Sequence, residues 1–286
     1  MFTSDGPETR APDGEHSFFS YDDDAECAAA VVGAVRAGLH SGRRVLCAVD
    51  TAPGAALDAL RRGGVDVSAA QDSGRLSVVS SQEFPRPRLP FDPDRVIPLL
   101  RSACAEALED GLPGLALVED RTWCAREVPG AERLLEYELR LEREVYATLP
   151  VTGLCTADRR VVPEPTLGLL RGAHLSPAPG EGQGLPFTVT ALRDQAGARL
   201  TGSADHDSRS ALIAALAAVS GIPGPTVRLD LSRTTFLDTG SVAALLTATD
   251  HLRLQGRRLL LHNPPYSLRR VMQLFPDECA ALEVPA

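Results

Sequence analysis

Apolar positions along this chain alternate between two spacings. RRVLCAV (43–49), LSVVS (76–80), LALVED (115–120) and VTGLC (151–155) are short, nearly continuous apolar runs. Such runs predict strands buried on both faces. Between them the apolar residues move to helical spacing. After the aspartates at 22–24, Ala28, Val31, Val32, Val35 and Leu39 mark a helix that Gly42 ends. A short helix is predicted over 53–64 with a glycine stop, and another over 91–111 with an Asp cap and Pro in its first turn. A further helix is predicted over 129–149, with Leu134, Glu138, Leu141 and Val145 along one side. Strand–helix alternation of this kind predicts an α/β fold with a parallel sheet covered by helices on both faces.

GAHLSPAPGEGQGLP (172–186) breaks the pattern with prolines and glycines, as a linker does. Beyond it the pattern resumes on a smaller scale. FTVTAL (187–192) and ARLTGS (198–203) read as a hairpin, followed by a helix at 208–219 and a strand at 226–232. A helix at 241–255, a strand at 257–263 and a short helix at 266–275 complete the unit. The polar residues 1–15 read as a flexible tail. The expected organisation is therefore a tail (1–15), a first domain (16–174), a linker (175–186) and a second domain (187–286).

Composition narrows the function classes. Apolar residues make up 44% of the 286 residues, which supports a globular core, and the net charge is −9. A nucleic-acid or anionic-membrane surface needs an excess of basic residues, so neither partner is expected. All 29 basic residues are arginine. With no lysine, Schiff-base chemistry and a lysine-dependent phosphate loop are excluded. The six cysteines, at 27, 47, 104, 124, 155 and 279, show no C-x-x-C pair and no zinc spacing. With no secretory signal and no long apolar run, the expected location is the cytoplasm, with reduced thiols.

One turn in the second unit stands out. In FLDTGSVAALL (236–246) an apolar strand end runs through Asp238, Thr239, Gly240 and Ser241 into an apolar helix. Free backbone N–H groups at such a helix start favour an anion. A phosphate on Thr239 or Ser241 would add about 1.5–2 negative charges to a docking surface. Asp and Thr before a helix also serve simply as N-cap residues.

The stretch from about 187 to 283 resembles a STAS domain of the anti-anti-sigma factor type. The resemblance rests on G-S-A-D-H (202–206), L-D-L-S-x-x-x-F-L-D (229–238) and G-R-R-L-L-L-H-N-P (256–264). It implies a small sheet flanked by helices. It also implies binding to a serine-kinase-like anti-sigma factor, regulated by phosphorylation of a hydroxyl in the turn. Asp205, Asp238, Thr239, Gly240 and Ser241 are the partner-binding positions that follow. The family turn places its acceptor where this chain has Gly240, so Thr239 and Ser241 are the remaining phosphorylation candidates. Docking survives this change better than regulation does.

Residues 16–174 resemble a MEDS domain, a sensory module of methanogen and methylotroph regulators. The resemblance rests on His16 and Tyr21, G-x-x-x-G-R-R-V-L (38–46), G-V-D-V (64–67), L-x-Y-E (135–138), L-C-x-x-D (154–158) and Ala173-His174. It implies that His16 and Cys155 help sense a small organic compound, and together they form a soft metal pair or a thiol sensor. Residues 34–49 also look like the part of RecA-like ATPases that follows the phosphate loop. Here the preceding residues are HSFFSYDDD (16–24), whose aspartates suit a helix start and repel a triphosphate. The fold expected is a degenerate RecA-like parallel sheet followed by a smaller STAS-type domain.

Other residues join this set by position. Tyr21 and Asp158 fall on the matching motifs. Glu138 falls on an inward helical stripe, where a charge needs a partner. Glu119 and Asp120 end a central strand, and Trp123 nearby reads equally well as packing. The chain is expected to be a non-enzymatic signalling protein with no cofactor and no resident metal, coupling a sensor to an anti-sigma-binding module that controls transcription. The alternatives are a thiol- or metal-dependent enzyme centred on Cys155, His16 and Glu138, and a scaffold that has lost both switches.

Overall fold

The computed structural model describes residues 16–81, 90–174 and 187–285. The expected tail and linker lie outside the described residues. The first sheet is built from β1 (His16–Tyr21), α1 (Asp24–His40), β2 (Arg44–Val49), α2 (Pro53–Arg62), α3 (Val67–Asp72), β3 (Leu76–Ser80), α4 (Pro93–Glu109), β4 (Leu115–Asp120), α5 (Leu134–Leu141), β5 (Val151–Asp158) and α6 (Glu164–Ala173). Its order is β1-β5-β4-β2-β3, and every neighbouring pair is parallel.

Helix α1 shows how the sequence builds this layer. The Asp23 carboxylate accepts hydrogen bonds from the Ala25 and Glu26 N–H groups, at 2.7 and 3.1 Å. The aspartates of the sequence pattern thus start a helix, as their affinity for free N–H groups favours. Gly38 lets α1 lie directly on the sheet: a Cβ there would fall 2.8 Å from the Ala116 Cβ and 2.9 Å from a Val45 methyl. Val35, Val45, Cys47, Leu60, Ala116 and Val118 form the apolar core on this face.

Several elements escaped the pattern. HSFFSY forms β1, an edge strand whose serines hide its periodicity. α3 and α6 were not expected either, and β5 runs on to Asp158. The helix predicted over 129–149 is three pieces: a 3-10 turn (Ala131–Arg133), α5, and a π turn (Glu142–Tyr146). The Ala147 N–H reaches back five residues to the Glu142 carbonyl at 3.0 Å, which is the widened ladder of a π turn. Every residue of α5 is buried, so a stripe analysis marked only part of what the helix covers.

The second sheet is smaller. It comprises β6 (Phe187–Ala191), β7 (Gly197–Ala204), α7 (Arg209–Gly221), β8 (Thr226–Leu237), α8 (Thr239–Leu254), β9 (Arg258–His262) and α9 (Tyr266–Leu274). The order is β6-β7-β8-β9. β6 and β7 pair antiparallel as a hairpin, and the remaining pairs are parallel. Leu200, Leu229 and Leu261 from the strands meet Leu212, Leu216, Leu245 and Leu252 from α7 and α8 in the core. Gly197 opens β7 at φ 149°, and a Cβ there would fall 2.0 Å from the Arg228 carbonyl oxygen. Only glycine fits that approach. β8 extends past its predicted end to Leu237, which carries the chain straight into the turn.

Candidate functional site

Register decides which candidates of the first domain meet. His16 pairs with Gly153 and Phe18 with Cys155, whereas Phe19 pairs with Thr156 and Tyr21 with Asp158. Side chains alternate along a strand, and register partners share a face. His16 and Cys155 therefore lie on one face of the sheet, and Tyr21 and Asp158 on the other. Glu119 pairs with Cys155 and joins the first face, while Asp120 pairs with Thr156 and joins the second. The five ligand-sensing residues expected from sequence are not one site.

On the first face the His16 Nε2 lies 3.3 Å from the Cys155 Sγ. Both residues are buried, Cys155 at 1% exposure. Glu138, on α5, is 0% exposed, and its Oε2 lies 3.5 Å from the Nε2 of His174. His174 closes α6 as its C-cap residue. Its Nδ1–H donates to the Leu170 carbonyl at 2.7 Å, since a carbonyl only accepts. That bond puts a proton on Nδ1, and Nε2 is the nitrogen that faces Glu138. The partner that sequence reasoning required for Glu138 includes a histidine. Sequence reasoning missed His174 as a site residue, although it stands in the closing Ala-His pair of the motif series. Glu119, expected near the same crevice, forms an ion pair of 3.1 Å with Arg121.

The second face has a different chemistry. Tyr21, Cys27, Thr122 and Asp120 gather beside α1. Burial, reinforced by Asp120, pushes the Tyr21 phenol well above its ordinary range. Burial also pushes the Cys27 thiol up to about 11 and the Cys47 thiol up to about 12. Asp120 is itself raised, by burial first, with Asp158 nearby adding to the effect. Its Oδ1 accepts from the Thr122 N–H at 2.9 Å. The Asp158 N–H donates to the Thr122 hydroxyl at 3.0 Å. Tyr21, Cys27 and Cys47 keep their protons at neutral pH, and the hydrogen bonds through Thr122 tie the strand ends together. Trp123 is buried.

In the second domain the turn is a capped helix start. The Asp238 carboxylate accepts from the Ser241 N–H at 2.7 Å, the bond expected of an N-cap. It also pairs with Arg209 at 2.5 Å. Burial pushes the Asp238 carboxyl up, but the Ser241 N–H and the Arg209 cation outweigh it and hold the group below the usual carboxylate range. A Cβ on Gly240 would lie 2.3 Å from the Arg209 guanidinium. The arginine thus occupies the space of the missing acceptor side chain. Ser241 is 0% exposed, and its hydroxyl donates to the Ala204 carbonyl at 2.9 Å. Thr239 is exposed. Asp205 lies in the turn before α7, its Oδ1 accepting from the Asp207 N–H at 3.1 Å, and the N-cap of α7 is Ser208. Arg209 carried no sequence signal, because it lies in a different element from the turn. A cleft of about 210 Å³ lined by Arg199, Arg228, Asp230 and His262 opens elsewhere on this sheet.

Comparison with known proteins follows these two domains. Residues 15–174 match the family described as the methanogen/methylotroph, DcmR sensory domain (MEDS). Residues 187–276 match the family described as Mlab, STAS domain. No curated protein matches the chain. Among solved structures, the chain is similar to the anti-sigma factor antagonist SpoIIAA in its unphosphorylated form. The identity is 19% and the TM-score 0.28, over 35% of this chain and 87% of that one. Both matched types are sensory and regulatory rather than enzymatic, which gives the chain a regulatory signalling role. No described helix is long and apolar enough to cross a membrane. The chain belongs to the MEDS family of sensory domains and carries a STAS domain behind its sensory half.

Proposed function

We propose that the chain is a cytoplasmic signalling protein in which the MEDS domain reads a small-molecule or redox input and the STAS domain docks on a serine-kinase-like anti-sigma factor, so controlling transcription. The observation that carries the docking half is the turn at 238–241. It presents an exposed Thr239 at the start of a long, well-capped helix, with the Arg209–Asp238 pair beside it. Charge and shape at such a helix start suit recognition by another polypeptide. Because Gly240 has no hydroxyl and Ser241 is buried, docking does not depend on modification at either position. Thr239 is the acceptor that a kinase reaches without opening the turn.

The test is capture of the host's purified anti-sigma kinases by the full chain. Binding that falls at least tenfold in Asp238→Ala, with the fold intact by circular dichroism, supports the reading. Capture of none of them overturns it.

A second reading, a thiol-dependent activity, is favoured by the 3.3 Å contact between His16 and Cys155. That distance suits a base beside a nucleophile. The burial of Cys155 opposes it, since a substrate must reach sulfur. Steady release of product from thioesters or disulfides, lost in Cys155→Ser, would raise this reading above the first.

A further inference from the structure

We propose that the cleft on the second sheet binds a small organic monocarboxylate. The site lies wholly within the STAS domain, and the inference does not rest on the docking reading.

Strand register builds the cleft. Arg199 of β7 pairs with Asp230 of β8, and Asp230 pairs with His262 of β9. Register partners share a face, so the three side chains form one row across three strands. Arg228 precedes Asp230 by two residues on β8 and shares that face. Leu200, Leu229 and Leu261 take the other face, where they enter the core with α7 and α8. The Arg-Leu-Asp-Leu alternation of residues 228–231 is the source of this division.

Charge selects the ligand. The Arg199 Nε–H donates to the Asp230 Oδ2 at 2.7 Å, and the Ser232 N–H donates to the Oδ1 at 2.9 Å. Burial pushes the Asp230 carboxyl up, but these bonds outweigh it and hold the group below the usual carboxylate range. Asp230 is thus an anion that Arg199 cancels. Arg228 is half-buried, and its guanidinium has no partner among the described residues. The Nε2 of His262 is buried and also lacks one among them. Buried polar groups are strongly favoured to find partners. A carboxylate supplies one negative charge for Arg228 and two acceptor oxygens, one for each unfilled donor.

The walls set the rest of the molecule. The cleft volume of about 210 Å³ is below the roughly 300–1,000 Å³ of sites for drug-sized ligands. Buried Leu192 lines it and gives a short carbon chain an apolar wall. Asp194, exposed on the hairpin turn, also lines it and opposes a second negative charge. A short monocarboxylate fits these limits better than a dicarboxylate or a phosphate. Asp238 lies eight residues beyond Asp230, or roughly 25 Å at about 3.3 Å per residue. Ligand and docking partner therefore occupy the chain together.

The experiment titrates the full chain with acetate, propionate and lactate in about 0.15 M chloride, which screens diffuse attraction. Histidine ring resonances are followed by NMR, with the His262 signal assigned by its loss in His262→Asn. A saturable shift of that signal is expected with at least one of the three, with a Kd of about 1 mM or tighter. Malonate and inorganic phosphate should bind more weakly than the best monocarboxylate, an order read on the parent chain without any variant. Arg228→Gln should weaken binding by about tenfold or more, with circular dichroism unchanged. Arg253→Gln removes an exposed arginine of α8 that does not line the cleft, and should leave binding as it is. No saturable shift with any of the three acids overturns the proposal, as does equal weakening in the two arginine variants. Tighter binding of malonate or phosphate overturns the choice of a monocarboxylate.

Discussion

The buried Glu138–His174 pair and the turn at 238–241 use the same kinds of atoms under opposite conditions. Glu138 and Asp238 are both carboxylates beside a nitrogen partner. Glu138 is sealed in with His174. Asp238 sits at a helix start open to solvent, where a backbone N–H and an arginine satisfy it. Burial makes the first region depend on charge balance, because an uncompensated charge in a low dielectric is strongly unfavourable. Exposure makes the second tolerant, because water screens what the protein leaves unpaired. A buried cluster therefore suits a ligand that becomes part of the interior. An exposed cap suits a partner that comes and goes.

The largest effect expected from this contrast concerns the cap. Asp238→Ala removes the side-chain acceptor for the Ser241 N–H and should cost about 1–2 kcal/mol in urea unfolding. The charge on that cap should also be visible in pH. The folded carboxyl is held below its ordinary range, so its contribution is complete at neutral pH and fades as pH falls below about 4. Asp238→Asn keeps the cap and drops the charge. The gap between it and the parent chain should narrow steadily on acidification from pH 7 to pH 3.

Gly240→Ser is smaller in energy and larger in information. The new Cβ displaces the Arg209 guanidinium, an exposed pair worth at most about 1 kcal/mol. It also supplies a hydroxyl at the position where the resemblance to STAS domains implies an acceptor. If the proposed anti-sigma partner phosphorylates Gly240→Ser and not the parent chain, intact-mass analysis will show one added phosphate only in the variant. The smallest effect is Thr239→Ala. Its side chain is exposed, so stability should move by less than about 0.5 kcal/mol. Any phosphate seen on the parent chain at this turn should nevertheless disappear.

Much of the architecture was legible because burial writes itself into periodicity. Continuous apolar strands such as RRVLCAV meant a sheet covered on both faces, and the hairpin at the start of the second unit followed from its two short runs. β1 was not legible. Its serines sit among aromatic residues on an edge strand, where one side needs no sequence signal. α5 was legible as a helix but not as three pieces, since a π turn leaves no mark in apolar spacing. Among the candidate site residues, His16 and Cys155 lie side by side. Tyr21 and Asp158 were grouped with them because motifs are linear, whereas pleating sends alternate residues to opposite faces.

The sequence by itself determined that the chain has two α/β units and no lysine to serve a phosphate loop. These follow from local composition and spacing, which folding does not alter; that Gly240 stands in place of a hydroxyl is what the resemblance to STAS domains implies. Only the tertiary structure decided that Glu138 meets His174, that Ser241 is buried, and that Arg209 fills the space above Gly240. Those facts depend on residues distant in the chain, brought together by packing, and no local pattern encodes which distant side chain will fill a given space.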